Sequence, residues 1–280
     1  MNADRITSPQ NLRVKEVVRL RDHRGRDERG RIVIDGRREV LRAVEAGVEI
    51  AELYYCPSLL GADDEERVLA PARGRQIELV EVTEPVFAKM SYGDRAEGLL
   101  AVAGRPMRAL DGLRLGSRPL IAVVEGVEKP GNLGAILRSA DAAGVDAVIA
   151  ADPAADIYGP NAIRASLGTV FTVPLVEAPA EETSLWLDRR GLSIVAACPA
   201  GGQVYTEVDM TGPTAVVLGS EAHGLTTAWQ QPCIVQAVVP MRGRADSLNL
   251  SITAALFFYE ALRQRGGGSS VAPRVAGVSR

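Results

Sequence analysis

The sequence predicts an α/β protein of two units, on three observations. Short apolar runs recur along its length without strict alternation, segments of helical period separate most of them, and an Arg-, Gly- and Pro-rich stretch between Gly104 and Pro119 interrupts the series. Apolar runs that do not alternate mark strands covered on both faces, as in a mostly parallel sheet between helices. At 280 residues the chain exceeds the usual domain size of about 100 to 150 residues, which also favours two cores. Hydrophobic residues make up 46% and aromatics only 4%, so Ala, Val, Leu and Ile must fill most of the interior.

The first unit opens on Leu12 to Leu20, whose apolar residues repeat at helical spacing after a polar, Pro-containing start. An Arg- and Gly-rich stretch around Gly25 and Gly30 follows. Ile32 to Ile34 reads as a short strand with a turn at Asp35-Gly36, then a helix up to Gly47 and a strand from Ile50 to Cys56. A helix through Asp63 to Leu69, a strand at Ile77 to Val80, a helix at Glu84 to Met90 and a strand at Leu99 to Val102 complete the alternation. In the second unit, strands are expected at Leu120 to Val124, Ala147 to Ala150, Val170 to Val173, Ser193 to Ala197, Ala215 to Leu218 and Val235 to Val239, with a last helix from Ser247 to Arg263. These readings divide the chain into a domain at 1–106, a linker at 107–117, a domain at 118–265 and a flexible tail at 266–280.

Several function classes recede on composition. No apolar run approaches the roughly 20 residues of a membrane span, and the N-terminal MNADRITSPQ lacks the apolar stretch of a signal peptide, so a cytoplasmic protein with no membrane partner is expected. Cys56, Cys198 and Cys233 are scattered and lack Cys-x-x-Cys spacing, which argues for buried thiols and against a disulfide framework or a metal site. The net charge of −3 gives no global sign of nucleic-acid binding, yet Arg13 to Arg38 carries ten Lys or Arg against five acids. That run fits a surface that tracks phosphates and equally an ordinary solvated helix face.

Three stretches follow directly on expected strands, where open α/β sheets bind ligands. The first runs from Glu125 to Arg138, EGVEKPGNLGAILR. Its Pro and Gly shape a turn into a helix, Asn132 is open between a cap and a ligand, and Arg138 among small apolar neighbours calls for an anionic or accepting partner. The second, Leu218 to Leu225 (LGSEAHGL), has glycines at 219 and 224 that permit close backbone approach to a ligand's polar edge. His223 within it is a surface histidine or a proton shuttle, and receives no role. The third, Val239 to Ser251 (VPMRGRADSLNLS), is a loop into a helix, with Asp246 or Ser247 suited to the N-cap and Asn249 and Ser251 expected within the first turn. No Gly-x-Gly-x-x-Gly follows a first strand, which disfavours a nicotinamide dehydrogenase.

Pro130-Gly131-Asn132-Leu133-Gly134 with Arg138, Gly219-Ser220-Glu221 with Gly224-Leu225, and Pro240-Met241 with Ser247-Leu248-Asn249, in this order, resemble the three motifs of the SpoU (TrmH) RNA 2′-O-ribose methyltransferases. The resemblance spans about 150 C-terminal residues, while the N-terminal unit looks like the family's small α/β ribosomal-protein-like substrate-binding domain. Within the family, the two-domain layout resembles 23S rRNA enzymes, including those that give antibiotic producers self-resistance. The resemblance implies a C-terminal trefoil-knotted SPOUT domain, a homodimer and S-adenosylmethionine held in the knot, with no metal. It places Arg138, Asn132, Glu221, Ser247 and Asn249 at the reacting centre. Leu218, Gly219, Ser220, Gly224, Val239, Pro240, Met241, Ser247, Leu248 and Asn249 would hold the cofactor.

The implied reaction is in-line attack of a ribose 2′-oxygen on a sulfonium methyl, so catalysis rests on positioning and on activating the hydroxyl. A guanidinium with a pKa above about 12 is a poor base at neutral pH, so Arg138 is expected to act electrostatically on developing oxyanion charge or on the adjacent phosphate. With an RNA substrate in view, Arg13, Lys15, Arg19, Arg21, Arg24, Arg26, Arg37 and Arg38 become candidates for phosphate contact. The alternatives are a tRNA 2′-O-methyltransferase, which shares the chemistry, and a non-catalytic RNA-binding protein, which would be expected to lose the polar motif residues that this sequence keeps.

Overall fold

The computed structural model describes residues 4–93, 96–199 and 202–266, so most of the expected tail lies outside the described residues. The first unit comprises β1 (Asp4–Ile6), α1 (Leu12–Arg19), α2 (His23–Arg29), β2 (Arg31–Asp35), α3 (Arg37–Glu45), β3 (Ile50–Tyr55), α4 (Ala70–Gly74), β4 (Glu78–Val82), α5 (Glu84–Met90) and β5 (Leu99–Gly104). Its sheet has the order β1-β4-β3-β5-β2, with β5 antiparallel to both neighbours and the remaining pairs parallel. In α1, Val14 and Val17 bury one face while the Asn11 side chain accepts from the Arg13 N–H at 2.8 Å, satisfying a donor that the first turn leaves open. The Arg-Gly stretch is ordered as α2, which ends at Gly30 in the left-handed conformation.

The second unit follows as β6 (Leu120–Glu125), α6 (Pro130–Ala143), β7 (Ala147–Ala151), α7 (Pro160–Ala165), α8 (Thr169–Thr172), β8 (Leu175–Ala178), α9 (Ala180–Arg189), β9 (Ser193–Ala197), β10 (Gln203–Val204), β11 (Thr214–Leu218), β12 (Val235–Val238) and α10 (Leu250–Gln264). Its seven strands pair in parallel in the order β10-β12-β9-β11-β6-β7-β8. Strands β6, β7 and β11 are buried at every position, which is why their sequences are apolar except for Glu125 at the end of β6 and Thr214 at the start of β11. The strand expected at Val170 to Val173 is corrected: Thr169–Thr172 is a helical turn entered from the left-handed Gly168, and the strand begins after Pro174. A four-residue run with three buried apolar residues and one exposed threonine is too short to carry a period that separates helix from strand.

The expected linker is packed against the second core. Leu110 and Leu113 are buried there, and Asp111 accepts from the Trp186 indole at 2.9 Å. The two units share a seam in which Arg26 is central. It is 4% exposed, donates to the carbonyls of Leu20 and Arg21 at the end of α1, and reaches Asp156 of the second unit with Nε at 2.8 Å. Arg42 donates to the Leu167 carbonyl at 2.6 Å, Arg164 to that of Tyr92, and Arg105 bridges Asp27 and Glu177. The expected phosphate contact by Arg26 is therefore corrected, because its guanidinium is enclosed in this seam.

Candidate active site

Parallel strands deliver their following loops to the same edge, and the three sequence motifs meet there. Asn132 is not the cap of α6, since that position is Lys129; instead its Nδ2 donates to Glu221 Oε1 at 2.6 Å. Asn249, rather than Asp246 or Ser247, caps α10, which starts three residues later than expected. Its Oδ1 accepts from the Ser251 N–H at 2.9 Å, while its Nδ2 donates to Asn132 Oδ1 and Glu221 Oε1, each at 3.2 Å. Lys129 closes the cluster through an ion pair with the other Glu221 oxygen. Residues 89 and 28 positions from Glu221 thus share one carboxylate oxygen, so each motif fixes the other two.

This cluster has an electrostatic consequence. Lys129, with Asn132 in support, holds the Glu221 carboxyl below the usual carboxylate range, so it is an anion near neutral pH and an orienting acceptor rather than a base. The Lys129 ammonium is raised in turn by Glu221. Lys129 belongs to the quoted motif, yet sequence reasoning gave it no role, because a lysine before a helix reads as a solvated surface charge.

Beside the cluster lies a cavity of about 420 Å³, within the range that holds small-molecule cofactors. Leu218, Gly219, Ser220, Gly224, Val239, Met241, Ser247, Leu248 and Asn249 line it, together with Glu221. Of the expected cofactor residues Pro240 alone does not. Sequence reasoning missed a further part of the lining, formed by Ala197 at the end of β9, Cys198 and Pro199 just after it, and Thr253 and Phe257 of α10; nothing in a short strand followed by Cys-Pro marks it out. Apolar walls with a few convergent hydroxyl, amide and backbone groups suit a flat nucleoside bearing a polar tail, so the residues present fit S-adenosylmethionine. At Gly219 a Cβ would lie 2.4 Å from the Gly224 backbone, so the loop can fold this tightly only with glycine there.

Arg138 stands on the exposed side of α6, its side chain with no hydrogen bond or salt bridge among the described residues. The partner its sequence context calls for is therefore not supplied among the described residues. Of the other expected RNA contacts, Arg13 pairs with Glu52 and Glu78, Arg37 with Asp64, Arg24 with Glu28, and Arg21 donates to carbonyls of Lys89 and Ser91. Lys15, Arg19 and Arg38 are exposed, and their side chains make no hydrogen bond or salt bridge among the described residues. The cysteines differ from one another: Cys56 is buried as expected, whereas Cys198 is half-buried with its thiol pushed up by burial and Cys233 is exposed.

Comparison with known proteins agrees with this geometry. Residues 119–259 match the SpoU rRNA Methylase family and residues 11–101 the MRM3-like substrate binding domain. A 23S rRNA (uridine(2479)-2′-O)-methyltransferase of Streptomyces viridochromogenes is 32% identical over 95% of this chain and 94% of its own. A crystal structure of an RNA 2′-O ribose methyltransferase superposes with a TM-score of 0.79 at 41% identity, covering 93% of this chain and 99% of that one. An AdoMet-bound rRNA methyltransferase from Sinorhizobium meliloti gives 0.84 at 29% identity, over 93% and 98%. Motifs, fold and cavity coincide, and the chain belongs to the SpoU rRNA Methylase family, whose methyltransferase fold carries a trefoil knot.

Proposed function

We propose that this protein methylates a ribose 2′-hydroxyl of 23S rRNA, with S-adenosylmethionine as donor. The observation that carries the reading is the shared carboxylate: Glu221 binds Asn132 and Asn249 at the mouth of the cavity, which joins three motifs distant in sequence into one polar centre. S-adenosylmethionine supplies an electrophilic methyl group on its sulfonium. The chain supplies placement. Leu218 to Glu221, Val239, Met241 and Asp246 to Asn249 line the cavity, the Asn132–Glu221–Asn249 network orients polar hydrogens at its rim, and Ser247 offers a further hydroxyl there.

Arg138, exposed and with its side chain uncommitted among the described residues, supplies a fixed positive charge for the RNA, favouring the 2′-oxygen as its proton departs to phosphate or water. The substrate-binding unit presents Lys15, Arg19, Arg24 and Arg38 to phosphates, with Arg13, Arg21 and Arg37 setting the shape of that surface through internal pairs. Choice of 23S over transfer RNA is supported by the full-length similarity to 23S enzymes and by this N-terminal unit. A homodimer is supported by α10, where Ile252 and Tyr259 are half exposed beside Ala255 and Leu256. A cytoplasmic setting accords with an rRNA substrate, and among the described residues no helix is long and apolar enough to cross a membrane.

The test is transfer of labelled methyl from S-adenosylmethionine to purified 23S, 16S and transfer RNA. Label confined to 23S RNA is expected. Label in transfer RNA alone would replace the proposed substrate, and stoichiometric cofactor binding without transfer to naked RNA or to ribosomal subunits would overturn the enzymatic reading.

A further inference from the structure

Glu125 is a buried carboxylate that the chemistry above does not use. It is 3% exposed, at the last position of β6. One oxygen accepts from the Thr226 N–H at 2.9 Å and the other from the Thr226 hydroxyl at 2.6 Å. With both oxygens occupied, and with no place in the cavity lining, Glu125 is neither a base nor a direct cofactor ligand.

Its position explains what the pair does. The ladder between β6 and β11 ends at Val124 and Leu218, while on the other side β6 continues one pair further, to Glu125 and Ala151. Beyond Leu218 the chain leaves the sheet as the loop 219–226, and no backbone pairing ties it to β6. Within itself the loop is closed: Ser220 and Gly224 exchange backbone hydrogen bonds at 3.1 and 3.0 Å, and the Ser220 hydroxyl accepts from the His223 N–H at 3.0 Å. A loop closed on itself but leaving one strand end can still pivot as a unit. Thr226, at its far end, is where such a pivot would be stopped, and Glu125 holds it there from a backbone fixed by the Gly126 N–H to the Ala151 carbonyl at 2.8 Å. Gly126, at φ +60°, brings that turn against the loop, where a Cβ would lie 3.3 Å from Ser220 Cβ.

We propose that Glu125 is a positioning residue of the donor site, acting through Thr226 to hold the cavity-lining loop 219–226 against the end of β6. Leu225 and Gly224, adjacent to Thr226, line the cavity, as do Gly219, Ser220 and Glu221. Release of Thr226 therefore loosens one entire wall. The inference rests on the reading that this cavity holds S-adenosylmethionine.

The test measures S-adenosylmethionine binding by calorimetry on the full chain without RNA, alongside RNA binding and thermal melting. A hydrogen bond to a charged acceptor is worth enough to shift affinity by about 10-fold or more when broken. Glu125→Gln and Thr226→Val should each weaken cofactor binding by about that factor and leave RNA affinity unchanged, while Thr226→Ser, which keeps both donors, should bind as the parent does. Because each single change breaks the same tie, the double variant should bind no more weakly than the worse single one. Thr226 is exposed, so Thr226→Val reports even where Glu125→Gln perturbs folding. Unchanged cofactor affinity in Thr226→Val, or losses that multiply in the double variant, would overturn the proposal while leaving the methyltransferase reading intact. Absence of cofactor binding by the unaltered protein would overturn both.

Discussion

Removing the Asp156 carboxylate should destabilise the protein far more than a surface substitution does. The Arg26 and Asp156 side chains are 5% and 12% exposed, and breaking such a pair from one side costs about 3 to 5 kcal/mol because the remaining charge stays desolvated. Arg26 keeps two carbonyl acceptors, at 2.8 and 2.6 Å, which places Asp156→Ala at the low end, about 3 kcal/mol. For a chain of this size that corresponds to a fall in melting temperature of about 6 to 12 °C. Replacing both partners by apolar residues, Arg26→Met with Asp156→Leu, removes the desolvation cost with the pair and should recover most of the loss. Circular dichroism melts of the three variants read the stability. In parallel, Arg26→Met should leave the salt dependence of RNA binding unchanged, whereas a lost phosphate contact would flatten the slope by about 0.7 to 0.9. A melting temperature for Asp156→Ala within about 1 °C of the parent, or a flattened slope for Arg26→Met, would refute the assignment of this arginine to the seam.

Further outcomes follow from the same contacts. Arg138→Ala should lower kcat by about 100- to 1,000-fold, as loss of one charge-stabilising donor does, with cofactor affinity within about twofold; an affinity loss equal to the rate loss in calorimetry and steady-state kinetics would contradict its role. Combined reversal of Lys15, Arg19 and Arg38 to Glu should weaken RNA binding and flatten its salt slope by about 0.7 to 0.9 per lost contact; an unchanged slope in filter-binding titrations would move the RNA surface elsewhere. Asp35, raised to about 6 chiefly by burial, titrates in the folded state above its unfolded value. Its favourable contribution is therefore present below about pH 4 and lost as the pH rises through 6. Asp35→Asn should raise the melting temperature at pH 8 and give no gain at pH 4; a lower melting temperature at pH 8 would contradict the sign.

The alternation of strands and helices was legible because parallel strands buried on both faces are predominantly apolar: β7 is so throughout, and β6 and β11 are but for Glu125 and Thr214 at one end of each. It failed where that signal is ambiguous: the run at 170–173 is too short to show a period and forms a helical turn, and β10 has two residues. The motif residues were legible as types, since Asn132, Glu221 and Asn249 have no reason to recur in apolar surroundings. Their mutual bonding was not, because the crossing of β12 beside β9 and the return of α10 onto α6 are long-range facts. Arginine was the least legible residue. Arg26 read as part of a basic surface in one dimension, yet it reaches across the seam in three, as do Arg42 and Arg164, to which sequence reasoning assigned no role. Glu125 and Lys129 show the same limit, because a charge beside a strand end or a helix start has its meaning only in its partner.

The central claim, that the site joins a methyl group to ribose oxygen, is tested most directly by digesting RNA labelled by the protein to nucleosides and identifying the product by mass spectrometry. The account predicts a single 2′-O-methylnucleoside from 23S RNA, strongly reduced with Arg138→Ala. Label recovered on a base, with the ribose unmodified, would contradict it.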